Sequence, residues 1–354
     1  MTPILERPVL ETPVLETPGL ETPVLDVTNL AVTYRTPRGL AHAVDGVDLA
    51  VPHGAMLGLV GESGCGKTTL ARALMGVLPG NARIARGRIA LDGTDLVALS
   101  PRARRAKLWR EISFVPQSAM NSLDPVYRLR AQMREVLCQR GNLSTTAADA
   151  RATELFQAVG LNPARLDDYP HQFSGGMRQR AAIALALALS PKLVIADEPV
   201  TALDVIVQRQ VLDTIRHLSE QMQVATILVT HDISVVAYLC TLTAVMYAGR
   251  IVEYGPTAAV LEHPAHPYTM GLMNAFPDLE GPQQTLAPIR GGPPDLHDPP
   301  PGCRFAPRCP FALDLCHTTD PAPTSVAEGH TAACHRSLEA AHLRTAARAP
   351  ETWQ

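Results

Sequence analysis

Lysine is nearly missing from this sequence. It occurs only at Lys67, Lys107 and Lys192, so arginine supplies almost all the positive charge. The skew carries no function by itself, but it makes Lys67 stand out. An excess of positive charge is missing too. The formal net charge is -3, which removes the electrostatic case for nucleic acid. Long hydrophobic runs are also absent. The longest, Ala181 to Leu189, falls well short of the roughly 18 residues of a membrane span. The N-terminus lacks the charged-then-apolar layout of a secretory signal. A cytosolic protein is therefore expected. Its seven cysteines are expected as reduced thiols or metal ligands rather than disulfides. What is present suits a globular chain: 46% hydrophobic and 18% charged over 354 residues. That is enough for one large domain with a sizeable core plus a smaller one.

The most informative stretch is Gly61-Glu62-Ser63-Gly64-Cys65-Gly66-Lys67-Thr68-Thr69, which fits the G-x-x-x-x-G-K-[ST] pattern of a phosphate-binding loop. The apolar run from Met56 to Val60 reads as a buried strand leading in. Leu70, Leu74, Met75 and Leu78 then recur at helical spacing until Pro79-Gly80 stops the helix. Glycines let the backbone curl so that successive N–H groups face an anion, and the helix N-terminus adds partial positive charge. Lys67 is placed for the β- and γ-phosphates and the Thr68 hydroxyl for Mg²⁺.

Upstream, residues 4–25 carry a proline in every five-residue unit. That forbids regular helix and reads as a disordered or extended tail over residues 1–24. Strands are expected over Leu25 to Tyr34 and Val44 to Val51. Tyr34 is either a stacking aromatic for a base or an ordinary strand residue. A hairpin strand is expected at Gly87 to Gly93, a helix after Ser100-Pro101, and a short strand from Ile112 to Val115 ending at Gln117. The basic run after Pro101 reads as a solvated helix face. Residues 122–190 are mostly helical, and residues 100–190 form a helical subdomain. Within it, Ser174-Gly175-Gly176 at a helix start is a second anion-binding candidate. Leu193 to Ala196 is a buried strand ending in Asp197-Glu198, an acidic pair suited to a Mg²⁺ carboxylate and a water-orienting residue. An amphipathic helix and another buried strand follow, the latter ending at Thr230-His231. Two more strands flank Ala248-Gly249. Alternating strands and helices with a phosphate loop at one strand end make an α/β nucleotide-binding core.

The order Gly61–Thr69, Gln117, Phe173-Ser174-Gly175-Gly176-Met177, Leu193–Glu198, Thr201-Ala202-Leu203-Asp204 and His231 resembles the ATPase subunit of an ABC transporter. The resemblance covers roughly Leu25 to Gly255. Phe173 stands where leucine is commonest in the family. The segments from His263 to Thr269, Pro299 to Cys309 and Asn121 to Val126 resemble the oligopeptide, dipeptide and nickel importers, with Asp124 in place of a usual asparagine. The resemblance implies a RecA-like P-loop NTPase core at 25–262, with an antiparallel β subdomain and an α-helical subdomain. It also implies a small Cys-rich region at 263–340, followed by a disordered end at 341–354. It implies ATP and Mg²⁺ as ligands, with Tyr34 on the adenine and Gly61 to Thr69 on the phosphates. Thr68, Gln117 and Asp197 would serve Mg²⁺, Glu198 would polarise the attacking water, and His231 would hold the γ-phosphate. Ser174, Gly175, Gly176 and Asp204 would act across an interface with a second ATPase subunit. The implied partners are that subunit, two transmembrane permease subunits and an extracytoplasmic substrate-binding protein, with no nucleic acid. The implied location is the cytoplasmic face of a bacterial inner membrane, held peripherally.

Cys303, Cys309, Cys316 and Cys334 are spaced C-x5-C-x6-C-x17-C, without the C-x-x-C pairs of common zinc sites. Four thiolates suit zinc or a [4Fe–4S] cluster, and a site without metal stays open. The family resemblance favours iron–sulfur. Cys65, among inward-facing N–H groups, is either a favoured thiolate or a small residue that fits. Cys138 and Cys240 read as ordinary core or near-core thiols. Two other functions stay open: a soluble ABC-type ATPase for iron–sulfur cluster assembly, and a nucleic-acid-linked ABC ATPase. The His-Pro-Tyr and Pro-Gly-Cys segments oppose the first. A single ATPase unit and the lack of basic charge oppose the second.

Overall fold

Two sheets carry the fold in the computed structural model, which describes residues 22–117, 122–201, 203–274 and 288–353. The proline repeat up to residue 21, Asn121 of the importer-like segment and Ala202 lie outside the described residues. The smaller sheet is antiparallel, in the order β2-β1-β4-β5. Its strands are β1 (Leu25–Thr36), β2 (Gly39–Val51), β4 (Ala82–Leu91) and β5 (Thr94–Asp95). Thr36 pairs with Gly39, so Pro37 and Arg38 close a tight hairpin. Val24 is already fully buried, so the domain begins just ahead of the expected boundary.

The larger sheet takes its phosphate-loop strand β3 (Met56–Val60) into a parallel set with β6 (Ile112–Val115), β7 (Leu193–Asp197), β8 (Ala225–Val229) and β9 (Leu242–Tyr247). Their order is β9-β3-β8-β7-β6. The strands are short and mostly apolar because both sheet faces are covered. The period-two alternation divides their side chains between two cores. Leu57, Leu59, Leu193, Ile195 and Ile227 pack toward the small sheet. Met56, Val60, Val194, Ala196 and Leu228 pack toward the helices on the other side.

The helices include α1 (Lys67–Met75) after β3 and α2 (Pro101–Lys107), whose N-cap Ser100 accepts from the Ala103 amide at 3.3 Å. The helical region continues with α3 (Leu129–Arg134), extended by a π-helical stretch to Arg140, then α4 (Thr145–Ala158) and α5 (Gly175–Ala186). Helix α6 (Val205–Met222) buries Val211, Leu212, Ile215 and Leu218 on one face, and α7 (Ile233–Leu239) follows β8. Among the described residues, no helix is long and apolar enough to cross a membrane.

The C-terminal region departs from expectation in two ways. It is not a separate appendage. Strand β12 (His330–Ala332) pairs with β10 (Arg250–Pro256) and β11 (Thr324–Ala327) pairs with β12, extending the large sheet by an antiparallel edge. Nor is the end a free tail. Beyond α8 (Thr257–Glu262), α9 (Pro267–Asn274) and α10 (Asp314–Thr318) lies α11 (Ala340–Ala347). Leu343, Ala347 and Trp353 are buried. The Trp353 indole N–H donates to the Ala347 carbonyl at 2.8 Å, and its ring meets Phe311 edge-on. The stretch mixes alanine with polar residues, so two large apolar anchors were too weak a pattern to read.

Candidate active site

Neighbouring parallel strands end at one sheet edge, and each end delivers a piece of the site. β3 delivers the glycine loop and β7 delivers Asp197 and Glu198. β8 delivers His231 and β6 delivers Gln117. The loop closes onto α1 through Gly66, at φ 109. A Cβ there would lie 2.2 Å from the Ala43 carbonyl oxygen, so only glycine fits. Lys67 is nearly buried, and its ammonium donates to the carbonyls of Gly61 at 2.7 Å and Glu62 at 3.0 Å. The loop thereby holds its own cation facing inward.

The Thr68 hydroxyl lies 3.5 Å from Asp197 Oδ1. Asp197 is 2% exposed. Burial and the neighbouring Glu198 charge raise its carboxyl above the usual range, against the Thr68 hydrogen bond. A buried carboxylate beside a hydroxyl is a hard-oxygen donor set of the kind Mg²⁺ takes. Glu198 is different. Its backbone is left-handed at φ 48, a conformation that non-glycine residues keep at functional sites. The Glu198 amide donates to the Val229 carbonyl at 2.8 Å. Its carboxylate accepts from Gln117 Nε2 at 2.7 Å and Thr201 Oγ1 at 3.2 Å, with His231 Nδ1 at 3.1 Å. Partial burial pushes its pKa up, but hydrogen bonds and charge from His231, with help from Gln117 and Thr201, leave it lowered overall.

Tyr34 reaches the far end of the loop, its hydroxyl 3.3 Å from Thr69 Oγ1. Ser174 and Asp204 form a second group. Ser174 caps α5 by accepting from the Met177 amide at 3.3 Å, and Asp204 caps α6 by accepting from Val207 at 2.9 Å. Gly176 lets the two helices close: a Cβ there would meet Val207 Cγ1 at 2.2 Å.

For Cys65 the structure favours the small residue that fits. Cys65 is 1% exposed, and burial raises its thiol despite Lys67 Nζ at 3.6 Å. The loop therefore does not present a thiolate. Cys303, Cys309, Cys316 and Cys334 do gather around one cavity of about 20 Å³. Yet among the described residues no three of His, Cys, Asp and Glu are placed to hold a metal ion. Neither the zinc nor the iron–sulfur expectation is met by a formed site. Burial pushes Cys309 up to about 12 and Cys334 up to about 11.

Arg308 and Tyr268 lie in the importer-like segments, but the sequence reading did not connect them to the loop. Arg308 makes a two-point ion pair with Glu62, and the Tyr268 hydroxyl accepts from the Glu62 amide at 2.8 Å. The partners are 246 and 206 residues apart, and no local pattern links them.

Residues 44–201 match the ABC transporter family, and residues 252–316 match the oligopeptide/dipeptide transporter C-terminal region. The chain is 43% identical over 320 residues to the oligopeptide transport ATP-binding protein OppD of Haemophilus influenzae, covering 90% of this chain and 98% of that one. The chain belongs to the ABC transporter family, among its ATP-binding subunits. This ABC ATPase is also 42% identical over 311 residues to the dipeptide transport ATP-binding protein DppD of Bacillus subtilis, covering 87% and 93% of the two chains. Its cassette matches a solved dimeric ATP-binding cassette in a post-hydrolysis state bound to ADP and Pi. The TM-score is 0.59 and the identity 25%, over 66% of this chain and 98% of that one.

Proposed function

We propose that this ABC ATPase hydrolyses ATP to drive import of peptides or a related small solute through a membrane permease. The observation that carries the reading is the Glu198 carboxylate, clasped by Gln117, Thr201 and His231 at the strand edge that also bears the glycine loop. Gly61 to Thr69 hold the phosphates, Lys67 supplies the fixed cation, and Tyr34 stacks on adenine. Thr68 and Asp197 hold Mg²⁺, with Gln117 serving it directly or through water. When bound, Mg²⁺ neutralises charge on the phosphate oxygens. Glu198 orients and polarises the attacking water and His231 steadies it. Positioning and charge neutralisation carry most of the rate in such transfers.

Ser174, Gly175, Gly176 and Asp204 serve a second ATPase subunit, placing each ATP between two chains. Two permease subunits and an extracytoplasmic binding protein complete the assembly, with this chain peripheral on the cytoplasmic face of the cell membrane. The names of the relatives and the match of residues 252–316 support the peptide class.

Purification of the tagged chain from mild-detergent extracts tests the importer reading. Two polytopic membrane proteins and a second ATPase are expected in the eluate. Recovery only from the soluble fraction, with cluster-assembly proteins, would overturn it.

A further inference from the structure

Glu62 is gripped from three directions. Its carbonyl accepts from Lys67 Nζ. Its amide donates to the Tyr268 hydroxyl. Its carboxylate takes both Arg308 Nη atoms, at 2.8 and 3.0 Å. The Arg308 side chain is 7% exposed. Nη1 also donates to the Tyr247 hydroxyl at 3.2 Å, Nη2 to the Ile289 carbonyl at 3.3 Å, and Nε to the Arg290 carbonyl at 2.8 Å. All five guanidinium N–H groups therefore have partners, so its fork has one orientation. Arg308 and Tyr268 come from the C-terminal region, outside the nucleotide-binding core. Tyr247, Tyr268 and Phe305 pack ring to ring beneath them.

We infer that Arg308 is a positioning residue for ATP binding, through which the cysteine-bearing C-terminal region sets the phosphate loop. A carboxylate at the second loop position faces the problem that its charge opposes a polyphosphate. Arg308 neutralises that charge and pins the side chain to one side. Without Arg308 the Glu62 carboxylate is free to turn toward the phosphates and to unsettle the carbonyl that orients Lys67. The inference rests on the phosphate-loop reading above.

The test is titration of the full chain with MgATP and MgADP. Arg308→Ala is expected to weaken ATP binding about tenfold, equivalent to about 1.4 kcal/mol, and ADP less, since ADP carries less charge. Adding Glu62→Gln to that variant removes the opposing charge and is expected to recover most of the loss. In the assembled transporter the KM for ATP rises while kcat changes little. Unchanged ATP affinity in a folded Arg308→Ala protein overturns the inference. So does a double variant no better than the single one. If Arg308→Ala fails to fold, Arg308→Lys keeps the charge but loses the fork, and an intermediate affinity is expected; wild-type affinity overturns the proposal. Lys67→Ala separates the two readings: its retention of ATP binding would instead remove the phosphate-loop assignment.

Discussion

Gln117 Nε2 donates to Glu198 Oε2 at 2.7 Å, joining the end of β6 to the end of β7. The bond ties the loop that leads into the helical region to the carboxylate best placed to handle water.

Glu198→Gln keeps the side-chain shape and removes the negative charge. ATP binding is expected to persist while hydrolysis falls by a hundredfold or more, in line with loss of a positioned base. Steady-state phosphate release alongside nucleotide titration checks it. Substantial turnover would sink the role given to Glu198.

Gly66→Ala places a Cβ 2.2 Å from the Ala43 carbonyl oxygen at a φ of 109. Both the clash and the left-handed backbone require the loop to shift. Nucleotide binding is expected to fall at least tenfold with little loss of Tm, because the strain is confined to the loop. Calorimetric titration and a melting curve measure the two effects separately.

Asp45 ties three arginines together: Arg86 at 2.6 Å, Arg250 at 3.2 Å, and Arg304, which is 4% exposed. Burial raises the Asp45 carboxyl, but the Arg86 hydrogen bond and the Arg304 and Arg250 charges leave it below its ordinary value of 3.8. The folded state therefore binds fewer protons there than the unfolded chain. The stability it contributes is fully present above the unfolded value and is lost as pH falls through the lower folded value. Asp45→Asn is expected to cost about 3 kcal/mol near neutral pH, because it strands a buried arginine. The gap from wild type should close as pH drops below about 4. Urea melts across pH 3 to 7 report it, and a pH-independent gap would refute the charge account.

Trp353→Ala removes the anchor of the last turn and opens a space beside Phe311. A loss of about 3 kcal/mol is expected for a buried tryptophan, read as a lowered urea midpoint. No change would mean that the end of the chain is the free tail its composition suggested.

The family and much of the site were legible because their signals are local. A phosphate loop must place its glycines, lysine and threonine at fixed offsets along a continuous strand, turn and helix, so Gly61 to Thr69 declare themselves. Apolar runs ending in Asp197-Glu198 and Thr230-His231 likewise mark buried strand ends. These elements are specified by residues a few positions apart. The sequence alone thus determined the α/β class, the family and the candidate site residues.

Tertiary structure decided the rest. The sheet order set Gln117 and His231 around the Glu198 carboxylate, since strand neighbours are chosen by packing rather than by chain order. The backbone at Glu198 is left-handed although nothing in its residue type asks for it. Burial decided between the two readings of Cys65, because desolvation outweighs a nearby lysine. Thiol spacing suggested a metal, but only folding could say how far apart the sulfurs stand. The grip of Arg308 on Glu62 spans 246 residues. A contact of that range leaves no periodicity behind, because it forms only when the C-terminal strands join the edge of the large sheet.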